Sequence, residues 1–442
     1  MSPFSIQALL RQDAPVKPIA ARSFAVTVLA VLVCAAPTAT AQESTEAPSL
    51  TEEQAIRLAL ERPALSDSWE AQVADAEAAA LTEGAWPNPE VAYTREQVFE
   101  DAETVSENVI VLEQTLPLSG RRGLLAEAAK TRARATQLET RAHRRLIEAH
   151  VRRAFYRVLE LQRRTKVRAE WLERMATFED QMIQRVEAGE NAPFDLQRLR
   201  AEIAQVQASN SVDEAALARR RAALAALLGR GPGEVDVQVT GNLAPKRLPN
   251  QSTVRQSVER VPEVAAARKQ VEAAELRTRA ASRWWVPEPT LVGGYKGETL
   301  GDAQFHGFVL GIGLALPVFN QLEGEQMAAE AALVRAKSRQ ELLEQRLLAE
   351  LAGIAAKTRK LSETAESYRE DGVERSEELL DLARQAYDAG EIDIDALMNA
   401  YRRAVDSQLR LLELEAGARA SKIEWQQIAE SITAHPSTSE DE

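Results

Sequence analysis

The sequence predicts a mainly α-helical chain that carries two β-hairpins and is built as two copies of one unit. Three observations predict it. First, five landmarks recur at a nearly constant distance: Pro63 with Pro262, Trp86 with Trp285, Pro89 with Pro289, Pro117 with Pro317 and Gly189 with Gly390, at offsets of 199–201 residues. That period is far longer than a solenoid repeat, so it marks a duplicated structural unit. Second, each copy holds helix-spaced apolar residues over arms too long for a compact globule. Third, FHGFVLGIGLAL at 305–316 alternates with period two. Phe308, Leu310, Ile312, Leu314 and Leu316 share one face, and Val309, Gly311, Gly313 and Ala315 share the other.

Composition supports the helical part. The 442 residues are rich in Ala, Leu, Glu, Arg and Gln, which favour helices, and aromatics are only 5%. The net charge of −13 argues against nucleic-acid binding, which calls for a basic excess.

Ahead of the repeat, residues 1–41 read as a signal peptide. Arg11, Lys17 and Arg22 precede the apolar run 24–36, which is too short to span a bilayer as a helix. Ala39-Thr40-Ala41 supplies the small-residue cleavage pattern. The mature chain is expected to start at Gln42 with a charge of about −15, because the removed segment carries three cations and Asp13. Cys34, the only cysteine, lies inside this signal. Lipidation of Cys34 is the alternative to cleavage, but Val33 stands where such signals favour a small residue. Either way the mature chain forms no disulfide.

The first copy, 42–250, opens with a helix at 51–60 that resumes after Pro63 to about Gly84. Proline fits a first helical turn and breaks an interior. WPNPEVAY at 86–93 then leads into strands at 90–99 and 107–116, joined by the acidic link EDAETVS. After Leu116-Pro117 a helical hairpin is expected over 124–228, with its break at 187–195. A Gly/Pro-rich connector with one short strand closes the copy. The second copy, 251–432, repeats this plan. Helices flank Pro262, strands lie at 290–297 and 305–316 around the link ETLGDAQ, and a hairpin covers 324–430 with its break at 388–397. Each first arm of about 64–66 residues spans roughly 95–100 Å. Apolar stripes such as Ile147, Val151, Phe155 and Val158, or Leu343, Leu347, Leu351 and Ile354, mark the packed faces. Residues 433–442 read as a disordered acidic tail.

The strands have the length of tilted membrane-spanning strands, and after the signal no apolar run is long enough for a membrane helix. Only strands could then enter a bilayer. Four strands cannot close alone, and open edges in lipid leave backbone groups unpaired. Membrane insertion therefore demands more than one copy. No phosphate loop, nucleophile elbow or cysteine nucleophile is present in the mature chain, so no enzyme and no cofactor are expected. His143, His150, His306 and His435 do not form a metal-ligand pattern, so no metal site is expected.

The chain resembles the TolC-like outer membrane factors. The resemblance rests on Pro87-Asn88-Pro89 after a helix, QTLPLSGRRG at 114–123, LALPVFNQLEG at 314–324 and AYDAGEIDIDALMNA at 386–400. The strand-LP-helix wording is most similar to the CzcC-type heavy-metal efflux branch. One departure is Asn320-Gln321-Leu322-Glu323-Gly324, where that branch reads an Asn-Arg-Asn-Gln-Gly-like run. The resemblance implies a homotrimer in the outer membrane of a Gram-negative bacterium, with twelve strands in one β-barrel and twelve helices in a periplasmic tunnel. It also implies a passive efflux duct with two partners, a periplasmic adaptor and an inner-membrane pump of the RND class. A drug-efflux or type I secretion duct of the same fold is the alternative. A soluble periplasmic coiled-coil scaffold is the competing class, though it has no use for the apolar strand face.

Candidate sites follow. Asp195, Asp393, Asp395 and Asn399 stand beside the hairpin tips. They read either as an acidic periplasmic gate or, for the aspartates, as helix caps and dipole partners. Gly189, Glu190, Gly390 and Glu391 form the tips themselves, where the resemblance adds adaptor docking to plain turn chemistry. Pro87, Pro89, Pro117, Pro287, Pro289 and Pro317 mark the strand–helix junctions. Trp86, Trp284 and Trp285 fit an interfacial aromatic belt or packing beneath the strands. Glu100, Asp101, Glu103 and Asp302 read as solvated loop charge.

Overall fold

The computed structural model describes residues 49–100, 103–231, 233–246 and 254–429. The expected signal peptide with Cys34, the acidic tail, His435 and Asp101 lie outside the described residues.

Helix α1 (Glu52–Leu60) starts at Thr51, whose hydroxyl accepts the Gln54 N–H while the Gln54 side chain accepts the Thr51 N–H. That is a capping box. Helices α2 (Pro63–Gly84), α4 (Pro193–Leu227) and α6 (Pro262–Ala281) each carry proline at their first position. The missing N–H costs nothing there. The long arm α3 (Arg121–Glu187) runs unbroken for 67 residues, about 100 Å. The remaining helices are α5 (Val254–Glu259), α7 (Glu323–Tyr368), α8 (Arg375–Asp388) and α9 (Ile394–Ala429). None of the described helices is long and apolar enough to cross a membrane.

Four strands, β1 (Glu90–Glu100), β2 (Glu103–Thr115), β3 (Pro289–Leu300) and β4 (Ala303–Leu314), form one antiparallel sheet in chain order. The expected links 100–106 and 298–304 are corrected here. Pairing continues to Glu100↔Glu103 and Leu300↔Ala303, leaving two residues between the paired strands in each link. Polar residues hid this, because a strand beyond an apolar band need not alternate. The second turn contains Gly301, at φ +56°, and Asp302. The two hairpins superpose at an offset of 200: Val91↔Leu112 recurs as Leu291↔Ile312.

Below the sheet, α2, α3, α6 and α7 pack side by side; farther down, α3 and α9 lie between α4 and α7–α8. The core is three clusters. One joins α1, α3, α4 and the connector around Phe155, Val158 and Leu224. The second lies near the tips around Trp171, Met175 and Leu397, and the third sits under α5 around Val264, Leu351 and Trp425. The connector forms an isolated bridge, Leu50↔Val239, where a strand was expected.

The second arm is not the continuous helix expected over 324–389. A π-helical turn, Arg369–Glu374, separates α7 from α8. The repeat supplies its cause. Above it, buried Val151, Phe155 and Val158 correspond to buried Leu351, Ala355 and Thr358, an offset of 200. Below it, Gly189 corresponds to Gly390, an offset of 201. One extra residue in an α-helix would rotate everything beyond by about 100°, and a widened turn absorbs it.

Candidate functional site

The two hairpin tips are built alike. At the first, Glu190 N–H donates to Arg185 O (2.8 Å) and Gly189 N–H to Val186 O (3.0 Å); at the second, Glu391 donates to Ala386 O (2.8 Å) and Gly390 to Tyr387 O (3.0 Å). Both are Schellman motifs, and they need φ near +79° and +73° at Gly189 and Gly390. The glycines are thus fixed by turn chemistry, and Glu190 and Glu391 stand exposed beside them.

The fold draws the two tips together. Arg185 pairs with Asp388 at 3.0 Å, and Asn191 donates to the Tyr387 hydroxyl at 3.1 Å. Arg198 pairs with Asp395, and Arg402 grips Glu202 through two nitrogens at 3.1 and 2.7 Å. Asn399 accepts from Arg402 at 3.1 Å. Burial first, against the pull of Asn191 and Arg185, raises the Tyr387 hydroxyl above its usual range. The hydrogen bond to Glu202 raises Arg402 further and keeps it charged.

The four gate candidates therefore differ in kind. Asp393 caps α9 by accepting the Ala396 N–H at 2.8 Å. Asp195 makes no cap; Ala192 holds that position, and Asp195 lies in the first turn of α4, where it complements the helix dipole. Asp395 and Asn399 engage arginines that tie one hairpin to the other. Sequence reasoning missed those arginines, Arg198 and Arg402, and Tyr387. Their charge looks like any solvated helix face until the second hairpin lies alongside.

At the other end, the prolines frame the junctions. The Gln114 amide donates to Pro87 O at 3.1 Å, and Leu116 N–H donates to Pro289 O at 2.8 Å. Pro289 is the first residue of β3, so it belongs to the strand as well as to the corner. Pro89 precedes β1, Pro117 follows β2, Pro287 precedes β3 and Pro317 follows β4. Gly120, at φ +64°, starts α3 while Arg283 donates past it to Ser119 O at 3.0 Å. Trp86 and Trp285 are exposed beside these corners, and Trp284 is half-buried.

The sheet has two unlike faces. One carries the row Tyr93–Ile110–Tyr295–Phe308 and beside it Val91–Leu112–Gly293–Leu310. Phe308, Leu310 and Ile312 are 80%, 76% and 70% exposed. The opposite face aligns Glu96, Glu107 and Glu298 directly across three strands, with Glu90 opposite Glu113. Lys296 is its one cation on the described strands, 2.8 Å from Glu107. Like charges placed opposite each other oppose pairing, so this face calls for water and counter-ions. The outer edges of β1 and β4 have no strand partner among the described residues. Among the described residues no group of three or more His, Cys, Asp or Glu side chains could hold a metal ion.

The model of the family described as outer membrane efflux protein matches this chain twice, at 55–230 and 253–429. The chain belongs to the outer membrane efflux protein family. The two matches fit the two-fold repeat. The cobalt-zinc-cadmium resistance protein CzcC of Cupriavidus metallidurans is 24% identical over 330 residues, 74% of this chain and 77% of that protein. The outer membrane protein VceC of Vibrio cholerae has a similar structure, with a TM-score of 0.72 at 19% identity over 85% of this chain and 95% of its own. The CusC channel aligns with a TM-score of 0.69 at 19% identity, covering 85% and 91% of the two chains.

Within this family, the departure at Leu322 has a physical meaning. Leu322 sits at φ +55°, the described non-glycine residue with a positive φ, just before α7. Its N–H donates to the Asn320 side chain at 3.0 Å. A left-handed leucine costs about 1–2 kcal/mol, and asparagine, which the CzcC-type run places there, tolerates that conformation. Leu322→Asn is expected to stabilise the chain by about 1 kcal/mol, read as a rise in the denaturant midpoint without a change in slope.

Proposed function

We propose that this chain is a passive outer-membrane duct of a tripartite efflux system, formed by three copies. The two-faced sheet with its unpartnered edges carries the reading. Lipid accepts the apolar face, while the glutamate face suits a water-filled lumen. In lipid the free edges of β1 and β4 must find strands, and other copies supply them. The number three comes from the resemblance to the family. The duct does no chemistry of its own. The tips at Gly189, Glu190, Gly390 and Glu391 would meet a periplasmic adaptor coupled to an RND-class pump. Asp195, Asp393, Asp395 and Asn399, with Arg198 and Arg402, would form the periplasmic constriction.

Cations, heavy-metal ions among them, are the favoured cargo. Support comes from the similarity to a cobalt-zinc-cadmium resistance protein and from Glu90, Glu96, Glu107, Glu113 and Glu298, set against Lys296, on the face proposed to turn inward. Charged rings of one sign select ions of the other. The test is purified protein in a planar bilayer under a salt gradient. The expected result is a steady conductance whose reversal potential favours cations. Replacing Glu96, Glu107 and Glu298 together by glutamine should shift that potential toward zero. A protein that gives no conductance and stays out of the membrane fraction would sink the duct; an anion-selective one would sink the cargo class.

A further inference from the structure

Helix α2 carries Asp67, Glu70, Asp75, Glu77 and Glu83 and no lysine or arginine. Its buried Ala80 marks the side that packs on α3. At 100° per residue, Asp67 and Asp75 fall within about 40° of the opposite side. Both are exposed. Helix α7 is the converse. Arg335, Arg339 and Arg346 share one face with Leu342, which is 66% exposed. All three arginines are exposed, and none makes an ion pair among the described residues. The ion pairs of α7 with α6 use another side, where Lys337 meets Glu275 and Glu344 meets Arg268, and the arginine face borders an open groove whose other walls are Ala142 of α3 and Glu263 and Gln270 of α6.

The repeat supplies a template for what covers these faces. Within the chain, α3 packs on α6: Gln270 donates to Glu139, and the seam is alanine on both sides, with buried Ala135 and Ala142 facing helix α6, whose Ala266 and Ala274 are also buried. Helix α7 is the second copy of α3, and α2 is the first copy of α6. At the offset of 200, Ala135 and Ala142 become Arg335 and Leu342.

We propose that α7 of one copy seats α2 of the next as α3 seats α6, and that this seam between copies is ionic. Shifting the Gln270–Glu139 contact by the repeat sets Asp75 level with Arg335. The same shift sets Asp67 between Arg339 and Arg346. Alanines join helices that one backbone already holds together. Complementary charge joins helices that must find each other by diffusion, and it discriminates against wrong partners more than it adds affinity. The seam rests on the assembly reading above.

Charge reversal tests it. The full chain is purified in detergent, and its trimer fraction is followed by light scattering against dilution. Asp75→Arg and Arg335→Asp each set like charges face to face at every joint, and each is expected to weaken assembly roughly tenfold or more. The double variant restores the charge pair and should return to within about threefold of the parent. Far-UV circular dichroism confirms that each variant folds. Independently, raising salt should weaken the unmodified trimer, because screening acts on exposed pairs. Single reversals that leave the trimer unchanged, a double variant no better than its parents, or a trimer indifferent to salt would overturn the ionic seam while leaving the trimer standing. An unmodified protein that is monomeric would overturn the assembly reading itself.

Discussion

Replacing Arg419 by alanine is expected to cost about 3–5 kcal/mol of stability, because one buried guanidinium on α9 holds the connector and α3 together. Arg419 on α9 is 8% exposed. It donates to three successive carbonyls of the connector, Asn242 O at 2.7 Å, Leu243 O at 2.8 Å and Ala244 O at 2.7 Å. Its guanidinium lies over the Tyr156 ring, 4.5 Å from the centroid. The Tyr156 hydroxyl donates to Glu52 at 2.5 Å, and Glu52 also pairs with Arg152 at 2.9 Å. Alanine would strand three carbonyls and remove the stacking at once. Lysine keeps the charge but not the fork, so Arg419→Lys should recover less than half of the loss. Denaturant unfolding of the three proteins checks both statements. Burial, then the bond to Glu52, raises the Tyr156 hydroxyl above its ordinary 10.0. The folded value is the raised one, so this contribution is complete below pH 10 and is lost as pH rises beyond it.

Nothing in the sequence announces that clamp. The repeat, the helical arms and the strands are legible because they are periodic, and a period survives in one dimension. Pro63 and Pro262 were readable because proline fixes φ, and both stand at first helical positions. Gly189 and Gly390 could be read from the need of a helix end for positive φ. The π-turn left a trace, the step in offset from 200 to 201, but a one-residue step is indistinguishable from a longer loop until buried positions are known. The ties Arg198–Asp395 and Arg402–Glu202 join residues about 200 positions apart. Helix surfaces crowded with charge offer dozens of such pairs, and only packing selects among them. The strand ends at 100–106 and 298–304 were misread because polar composition was taken for a loop, whereas the ladder needs only backbone.

Cysteines at Val91 and Leu314 are expected to convert the assembled protein into a covalent trimer. The two hairpins superpose at an offset of 200, so in the proposed assembly the β2–β3 joint is the model for the joint of β4 with β1 of the next copy. Gln114↔Leu291 maps onto Leu314↔Val91, and Leu112↔Gly293 onto Ile312↔Tyr93. A slip of one residue would turn Phe308, Leu310 and Ile312 to the glutamate face. A slip of two keeps the faces but shifts the copies by about 7 Å along the strand. That shift would carry Asp75 past Arg335, so sheet and helices must agree on one register. In a Cys34→Ser background, oxidation of the Val91→Cys, Leu314→Cys variant should give a species three times the chain mass on a non-reducing gel. Val91→Cys with Ile312→Cys should not. Crosslinking in the second pair would mean that the repeat ends at the chain boundary. Crosslinking in the first would mean that the duplication set the symmetry of the assembly as well as that of the fold.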